Sequence, residues 1–403
     1  MKSLQTLQSW RQLLSIQAGG VICLPVIFIG SLLCEKYGWR ASFSIIGIGN
    51  ALLLILGLIS ARMSVTYRNS TAEQAKRYFG KRGSQLFALA LMGSMMGWFA
   101  IQLNLMSLGL EHFTLKAGLK CPSYLLNALL GLVLSLLMLK GIKAVNRLAD
   151  ISLPLLILTV GYALWSVEFE PQENNPSFSI WEGLAIILGI ELGAVIDLPT
   201  FFRHAKSPKD AYISILVLYG LIVPVIEMAG VYLACQGQAK TIVEVLQAGQ
   251  GVWWSMWTAL FILLAGWTTN NANLYSAVAS SQIVFPSFTF KARVLMLGIG
   301  GTLLACLNPA EHLELSLNLV GLGIGSIGAI LLSSYLWESW QGKAVSEKNC
   351  LLAWAGGLLG GIGSLLKLWE LSSIAFLDAF FLALIVNMML LNFNKGKVYA
   401  AID

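Results

Sequence analysis

The stretch IWEGLAIILGIELGAVIDLPTFF, residues 180–202, decides the fold class of this chain. It is apolar over the roughly 20 residues that a helix needs to cross about 30 Å of hydrocarbon. Similar runs recur along the whole sequence, which is 57% hydrophobic and 11% charged, whereas an average soluble domain is about 25% charged. The composition therefore predicts an all-α integral membrane protein and excludes a soluble enzyme.

Hydropathy predicts about twelve transmembrane helices. The expected spans are residues 12–34, 41–61, 84–110, 123–140, 149–168, 180–202, 211–235, 253–284, 294–308, 315–337, 350–366 and 373–392. An acidic, turn-rich external loop at 169–179 separates a first repeat, 1–168, from a second, 180–340. Because each repeat has an odd number of spans, the second enters the membrane upside down, which is the inverted-repeat plan. Residues 341–403 then form two additional helices and a cytoplasmic tail.

The basic residues fall mainly in alternate loops, which predicts that both termini are cytoplasmic. The net charge of +6 therefore reflects orientation in the membrane and does not indicate nucleic-acid binding. No cleavable signal peptide is evident, and the short loops favour a bacterial cytoplasmic membrane. The six cysteines are scattered, mostly in apolar runs and without a CxxC pair, so we interpret them as small hydrophobic residues.

Two spans carry residues that interrupt helices. Span one contains Gly19–Gly20 and Pro25, and span six contains Gly189, Gly193 and Pro199. Breaks in these two spans would free backbone groups to form a binding site at mid-membrane. Glycine and proline are also common in transmembrane helices for packing alone, and that alternative stays open here.

Three carboxylates lie at membrane depth, namely Glu191 and Asp197 in span six and Glu227 in span seven. An ionised side chain there costs about 2.5–3.5 kcal/mol on insertion scales, and no Lys or Arg lies at matching depth. Glu191, beside two glycines, is the candidate for substrate contact or proton acceptance, with a structural hydrogen bond as the alternative. The roles of Asp197 and Glu227 stay open.

Span eight contains a cluster of hydrogen-bonding side chains in an otherwise apolar helix. Thr268 and Thr269 offer hydroxyl oxygens to a hard cation such as Na⁺. The amide of Asn270 has both a donor and an acceptor, which suits the edge of a heterocycle. Trp98 in span three, with small residues beside it, could form a stacking wall for a flat ring. Interhelical hydrogen bonding and plain packing are the alternatives.

Several segments resemble the nucleobase–cation symporter family, which includes the cytosine permeases, over roughly residues 12–340. They are Gly97-Trp98-Phe99, the segment from Arg77 to Ser84, Trp267-Thr268-Thr269-Asn270 with Leu274-Tyr275, and the segment from Gly328 to Tyr335. The resemblance implies a LeuT-type five-plus-five fold with two extra helices. It also implies ring stacking on Trp98 and a substrate hydrogen bond from Asn270. Cation ligation would come from Thr268 and Thr269, with backbone carbonyls near Gly19, Cys23 and Ala265.

The sequence departs from the family pattern at the implied substrate pocket. Met95 stands where the family has a glutamine, Glu191 where cytosine permeases carry a stacking Phe, and Gly193 where they have a Ser. Thr200 and Ser334 likewise replace aspartates. A pocket that exchanges an aromatic ring for a carboxylate is expected to prefer a ligand with an amino or cationic group.

These observations predict a secondary active transporter that imports a nucleobase or a related small nitrogen heterocycle, coupled to Na⁺ or H⁺. An amino-acid or amine symporter on the same fold is the alternative, and a transport-inactive membrane receptor is another. No catalytic constellation supports an enzyme, and no cofactor is expected beyond the coupling ion. The expected partners are the small-molecule substrate and the lipid bilayer, with no nucleic acid and no obligate protein partner.

Overall fold

The computed structural model describes residues 7–116, 118–167, 180–235, 245–246, 252–372 and 374–393. Within these ranges the fold is all-helical, and one isolated bridge pairs Gln8 with Ala205. The predicted external loop at 169–179 lies outside the described residues, as does the end of the predicted cytoplasmic tail at 394–403.

The helices follow the predicted apolar segments closely. In chain order they are α1 (Trp10–Val21), α2 (Leu24–Tyr37), α3 (Trp39–Tyr67), α4 (Thr71–Lys116), α5 (Ser123–Met138), α6 (Ile142–Trp165), α7 (Ile180–Phe202), α8 (Pro208–Val217), α9 (Val223–Ala234), α10 (Val252–Val284), α11 (Phe290–Ala305), α12 (Leu313–Gln341), α13 (Glu347–Leu365) and α14 (Ala375–Phe393). A π-helical turn, Leu218–Ile222, joins α8 to α9.

Several of these helices are long and apolar enough to cross a membrane. Within the described ranges, length and composition identify seven such helices, or eight if the bent pair α1 and α2 is one crossing. The fold class is therefore confirmed as all-helical with apolar spans. The count of twelve crossings and the inverted repeat stay predictions.

The first predicted break is present between α1 and α2, whose axes are bent by 57°. The chain leaves the helix at Ile22 and Cys23, and the amide of Cys23 donates to the carbonyl of Val21 at 2.7 Å. In an uninterrupted helix the same amide would donate to the carbonyl of Gly19. Pro25 follows in the first turn of α2, where its missing N–H costs nothing.

The second predicted break, in span six, is wrong. Helix α7 runs without interruption from Ile180 to Phe202, with Pro199 inside its last turn. The glycines there serve close packing instead. A Cβ at Gly189 would lie 2.7 Å from the ring of Phe376, and one at Gly193 would lie 3.7 Å from Ile324.

Helix α4 changes direction at Gly80, whose φ of +65° belongs to the left-handed region that favours glycine. The side chain of Glu347 closely approaches the position that a Cβ would occupy there. This turn separates a short first segment of α4 from the long apolar segment that carries Trp98.

Three polypeptide segments predicted to lie on the cytoplasmic side meet at one end of the helix bundle. The amide of Gln8 donates to the carbonyl of His204 at 2.7 Å, and Arg68 donates to the carbonyl of Ala205 at 2.8 Å. Arg203 forms an ion pair with Glu73 at 3.2 Å. Burial, together with the charges of Arg203 and Arg68, lowers the pKa of His204 to about 4, so this imidazole is neutral at physiological pH.

The helix pairs that pack most extensively are α4 with α10, α13 with α14 and α12 with α14, followed by α3 with α7 and α2 with α9. The α2–α9 crossing is close because both helices present glycine. A Cβ at Gly230 would overlap the carbonyl of Ile27, and one at Gly30 would overlap the carbonyl of Glu227. The hydroxyl of Ser31 donates to the carbonyl of Gly230 at 3.0 Å. Small residues that allow such backbone contact are a general means of helix association in membranes.

Replacing Gly230 with Val should destabilise the protein, because α9 must move away from α2. Overpacking of this kind costs typically about 1–3 kcal/mol. The measurement is the temperature at which purified protein loses its monodisperse size-exclusion peak. Gly47→Val is the control, because Gly47 is an exposed helical glycine with no neighbour within 4 Å of an added Cβ. Equal midpoints for the two variants would contradict the close crossing.

Candidate functional site

A cavity of about 110 Å³ lies between α1, α2, α4, α7 and α10. Since roughly 10–15 Å³ suffices for one water molecule, this space can hold several waters or a small solute. Its polar lining comes from four helices that are distant in sequence, namely α1, α4, α7 and α10. The polar residues are Gln17, Gln102, Glu191, Asp197, Thr269, Asn273 and Ser276.

Half of the residues predicted for the site line this cavity. Trp98 and Met95 of α4 do so, together with Glu191 of α7, Cys23 at the helix break and Thr269 of α10. The acid of span six and the hydroxyl cluster of span eight thus reach one buried space. This convergence could not be read from hydropathy.

The other predicted residues lie behind the cavity wall. Asn270 is fully buried, its Nδ2 lies 3.8 Å from the Sδ of Met106, and its Oδ1 has no partner. Gly193 faces Ile324. Gly19, Ala265 and Thr268 are not in the lining but form the polar cluster described below. The substrate contacts predicted for Asn270 and Gly193 stay predictions.

Glu191 is 3% exposed and lies on the cavity wall. The hydroxyl of Tyr219 donates to its Oε2 at 3.4 Å. Within the described ranges no ion pair involves this carboxyl. Glu191 therefore presents acceptor oxygens to the cavity without a protein cation to neutralise them.

Asp197 also lines the cavity but is bound by neighbouring hydroxyls. Thr200 donates to its Oδ1 at 2.7 Å, and Ser276 of α10 donates to its Oδ2. The hydroxyl of Thr200 in turn contacts that of Thr71 at 3.2 Å. These bonds join α7 to α10 and α4, so Asp197 has a structural role that the sequence left open.

The two threonines of α10 meet the carbonyls freed by the break after α1. The Oγ1 of Thr268 lies 2.5 Å from the carbonyl oxygen of Gly19 and 3.1 Å from that of Ala265. The Oγ1 of Thr269 lies 3.0 Å from the carbonyl oxygen of Gly20 and 2.9 Å from that of Ala265. We call these two hydroxyls and three carbonyls the threonine–carbonyl cluster. All its atoms are hard oxygen donors, the type that alkali and alkaline-earth cations select.

Sequence reasoning did not assign four polar residues of the cavity, Gln17, Gln102, Asn273 and Ser276. Gln102 is 1% exposed, and both its amide oxygen and its amide nitrogen lack partners, as does the Nδ2 of Asn273. A helical spacing could have indicated Gln102 and Asn273. Gln102 follows Trp98 by four residues and Asn273 follows Thr269 by four, so each shares a helix face with a predicted site residue.

A sequence model of the family described as "Permease for cytosine/purines, uracil, thiamine, allantoin" matches residues 3–341. The chain belongs to this family. Among curated proteins, this permease is 26% identical over 353 residues to the cytosine permease of Escherichia coli K12, covering 79% of this chain and 78% of the relative.

Solved structures share the fold of this permease. One is Mhp1, a nucleobase-cation-symport-1 family transporter in a closed conformation with bromovinylhydantoin bound. It superposes with a TM-score of 0.77 at 18% identity over 97% of this chain and 95% of that chain. The other is a Na⁺-coupled sialic acid symporter in a substrate-bound outward-open state, with a TM-score of 0.77 at 13% identity over 98% of this chain and 92% of that one. The predicted family is thus confirmed, and the chain is a membrane permease and not an enzyme.

The role assigned to Asp197 predicts that Ser276→Ala lowers the stability of the permease. The Oδ2 of a buried carboxyl would lose its donor, which costs about 1–3 kcal/mol. Thermal denaturation of purified protein measures this loss. Ser44→Ala is the matched control, because the exposed hydroxyl of Ser44 bonds only to the carbonyl of Arg40 in its own helix. If the Ser276→Ala variant and the control have the same melting temperature, Asp197 does not stabilise the α7–α10 contact.

Proposed function

We propose that this permease is a cation-coupled symporter that imports a small nitrogen heterocycle bearing an amino group. The observation that carries the proposal is the meeting of Glu191, Trp98 and Thr269 in one buried cavity. A ring that enters this cavity finds an aromatic face, unpartnered amides and an acceptor carboxylate, and the threonine–carbonyl cluster lies directly beside it.

The cavity chemistry supports an amino-bearing ring. Trp98 offers a face for stacking. The unpartnered amide of Gln102 supplies one donor and one acceptor, and Asn273 supplies a donor, which fits the mixed edge of a heterocycle. Glu191 in its ionised form only accepts hydrogen bonds, so it favours an N–H donor or a cation. The substrate bond proposed for Asn270 and the pocket role proposed for Gly193 would require those residues to approach the cavity during transport.

The threonine–carbonyl cluster supports Na⁺ as the coupling ion. The hydroxyl of Thr268 is within hydrogen-bonding distance of the carbonyls of Gly19 and Ala265, and the hydroxyl of Thr269 is within that distance of the carbonyl of Ala265. Cys23 lies at the same helix break and its side chain is within reach of Thr269. A cation among these oxygens would replace the hydrogen bonds that now satisfy them.

We also propose the full topology predicted from the sequence. Twelve crossings would comprise two inverted repeats, 1–168 and 180–340, followed by two further helices in a bacterial cytoplasmic membrane. The convergence of the segments around Gln8, Arg68 and Arg203 at one end supports a common cytoplasmic side for them. Both termini would lie on that side.

A panel of ligands tests the substrate class. We expect cytosine and other amino heterocycles to raise the melting temperature of the purified permease in Na⁺ more than uracil or hydantoin, which lack an exocyclic amino group. Glu191→Gln should weaken amino-heterocycle binding by roughly tenfold or more, because a hydrogen bond to a charged group contributes about 1.5–3 kcal/mol.

The exposed Glu370→Gln is the matched control and should bind as the wild type does. Stabilisation by amino acids but not by any heterocycle would favour the amine-symporter alternative. Equal binding by the Glu191→Gln variant and the wild type would remove that carboxylate from substrate recognition.

A titration of Na⁺ tests the coupling site. Thr268→Val keeps the side-chain shape and removes a hydroxyl that does not line the cavity. It should raise the Na⁺ concentration for half-maximal uptake into proteoliposomes by tenfold or more, which corresponds to about 1.4 kcal/mol of ion binding. Thr66→Val is the control, since the exposed Thr66 bonds only within its own helix. An unchanged Na⁺ dependence, or full uptake with choline in place of Na⁺, would exclude this cluster as the coupling site.

A further inference from the structure

A third buried carboxyl at membrane depth, Glu227 of α9, lies behind the cavity wall and takes no part in the site described so far. It is 0% exposed. The Nδ2 of Asn50 on α3 lies 2.5 Å from its Oε2, and the same amide nitrogen donates to the carbonyl of Ile46 at 3.0 Å. The Oε1 of Glu227 and the Oδ1 of Asn50 have no partner.

This environment suits a neutral carboxylic acid better than a carboxylate. An ionised Glu227 would have one amide hydrogen bond to compensate a full charge at a position with no solvent-exposed surface. Buried charges are normally paired or lose their charge by protonation. A proton on Oε1 removes the charge and leaves the bond from Asn50 to Oε2 intact.

Tyr219 connects this buried acid with the cavity. It lies in the π-helical turn Leu218–Ile222, is 1% exposed, and donates its hydroxyl to Glu191. It is close enough to both Glu191 and Glu227 for their charges to act on it, and the two carboxyls act on each other. A π-helical turn places one extra residue in a helix and is frequent at functional sites.

The groups that face this pair contain no positive charge within the described residues. α7 contributes Glu191, the π-helical turn contributes Tyr219, and α3 contributes the uncharged Asn50. At the break between α1 and α2, Cys23 is the remaining titratable group near Glu191. Two carboxyls whose charges act on each other without a nearby cation share protons, and one of them stays protonated at a pH at which the other is ionised.

We propose that Glu191 and Glu227 form a proton-binding pair that holds one proton at neutral pH, that this proton resides on Glu227, and that the hydroxyl of Tyr219 donates to the ionised Glu191. The pair is separate from the threonine–carbonyl cluster. The proton on Glu227 removes a neighbouring negative charge and so favours the ionised form of Glu191, which accepts a hydrogen bond from an amino-bearing ligand. This assignment rests on the proposed function for its role in transport, but the protonation itself does not depend on it.

The pair predicts two separate losses of uptake with pH. At acid pH a second proton neutralises Glu191, and the ligand loses its acceptor. At alkaline pH Glu227 loses its proton, and the repulsion between two carboxylates disturbs the cavity wall. Glu227→Gln mimics the protonated acid and its shape. This variant should keep the acid limb of the pH profile and lose the alkaline limb, whereas the exposed Glu311→Gln should keep both.

Infrared difference spectroscopy detects the protonated carboxyl in the absence of any ligand. The purified wild-type protein at neutral pH should show a buried carboxylic-acid C=O band that is absent in Glu227→Gln and retained in Glu311→Gln. A band unchanged by Glu227→Gln, or an alkaline limb that this variant keeps, overturns the proposal. If the band behaves as expected while no heterocycle is taken up, the proposed substrate fails and the proton pair stands.

Tyr219→Phe provides an independent test should Glu227→Gln fail to fold. The variant keeps the ring and removes the hydroxyl that donates to ionised Glu191. Loss of this donor favours the protonated acid, so the acid limb should move to higher pH. Tyr232→Phe is the control, because the hydroxyl of Tyr232 on α9 bonds to the carbonyl of Val167. An acid limb that is the same in both variants would separate Tyr219 from the pair and contradict the proposal.

Discussion

The hydroxyl of Thr268 bound to the carbonyl of Gly19 is the interaction on which the rest of this architecture depends. Hydrocarbon satisfies no backbone polar group, so a broken span is stable only where another part of the protein supplies partners. The chain leaves helical geometry between Val21 and Leu24, and the threonines of α10 meet the carbonyls that the break exposes. The break and the polar cluster of α10 are therefore one structural unit, although about 250 residues separate them along the chain.

The sequence predicted a helix break in span one and another in span six. The first is present and the second is absent. In span one, adjacent glycines precede a proline, and threonines at membrane depth elsewhere in the chain needed a partner. In span six the same residue types gave the same signal, but α7 is continuous. Gly189 is required there because the ring of Phe376 lies against the helix. The sequence alone does not distinguish a glycine that interrupts a helix from one that allows a neighbouring side chain to pack closely, because both functions depend on the absence of a side chain.

The sequence identified helices that line the cavity, but it did not always identify which residue of a helix faces it. Trp98, Glu191 and Thr269 reach the cavity, whereas Asn270 points to Met106 and Asn273 faces the cavity. Neighbouring positions on a helix differ by about 100°, so a polar cluster identifies a helix without fixing which member faces inward. Gln102 was missed because its four-residue spacing from Trp98 becomes informative only once Trp98 is known to face the cavity.

The three acids at membrane depth differ in their surroundings. Asp197 is held by hydroxyls from Thr200 and Ser276 and joins helices. Glu191 has one weak donor and an open face toward the cavity. Glu227 has no exposed surface and one amide. A buried carboxyl is therefore suited to link helices, to accept a hydrogen bond from a ligand or to stay protonated, depending on how many hydrogen-bond donors contact it.

Coupling between ion and substrate follows from shared parts of the wall. Gly20 and Thr269 line the cavity, and both also belong to the threonine–carbonyl cluster. A cation bound at the cluster would fix the hydroxyl of Thr269 and the last turn of α1, and so order one side of the space that a ring must enter. A substrate that finds this side already ordered loses less conformational entropy on binding. By linkage, the substrate must increase the affinity for the ion by the same factor. In the proposed scheme the cation would need no distant relay, because one helix break would contribute to the binding of both ligands.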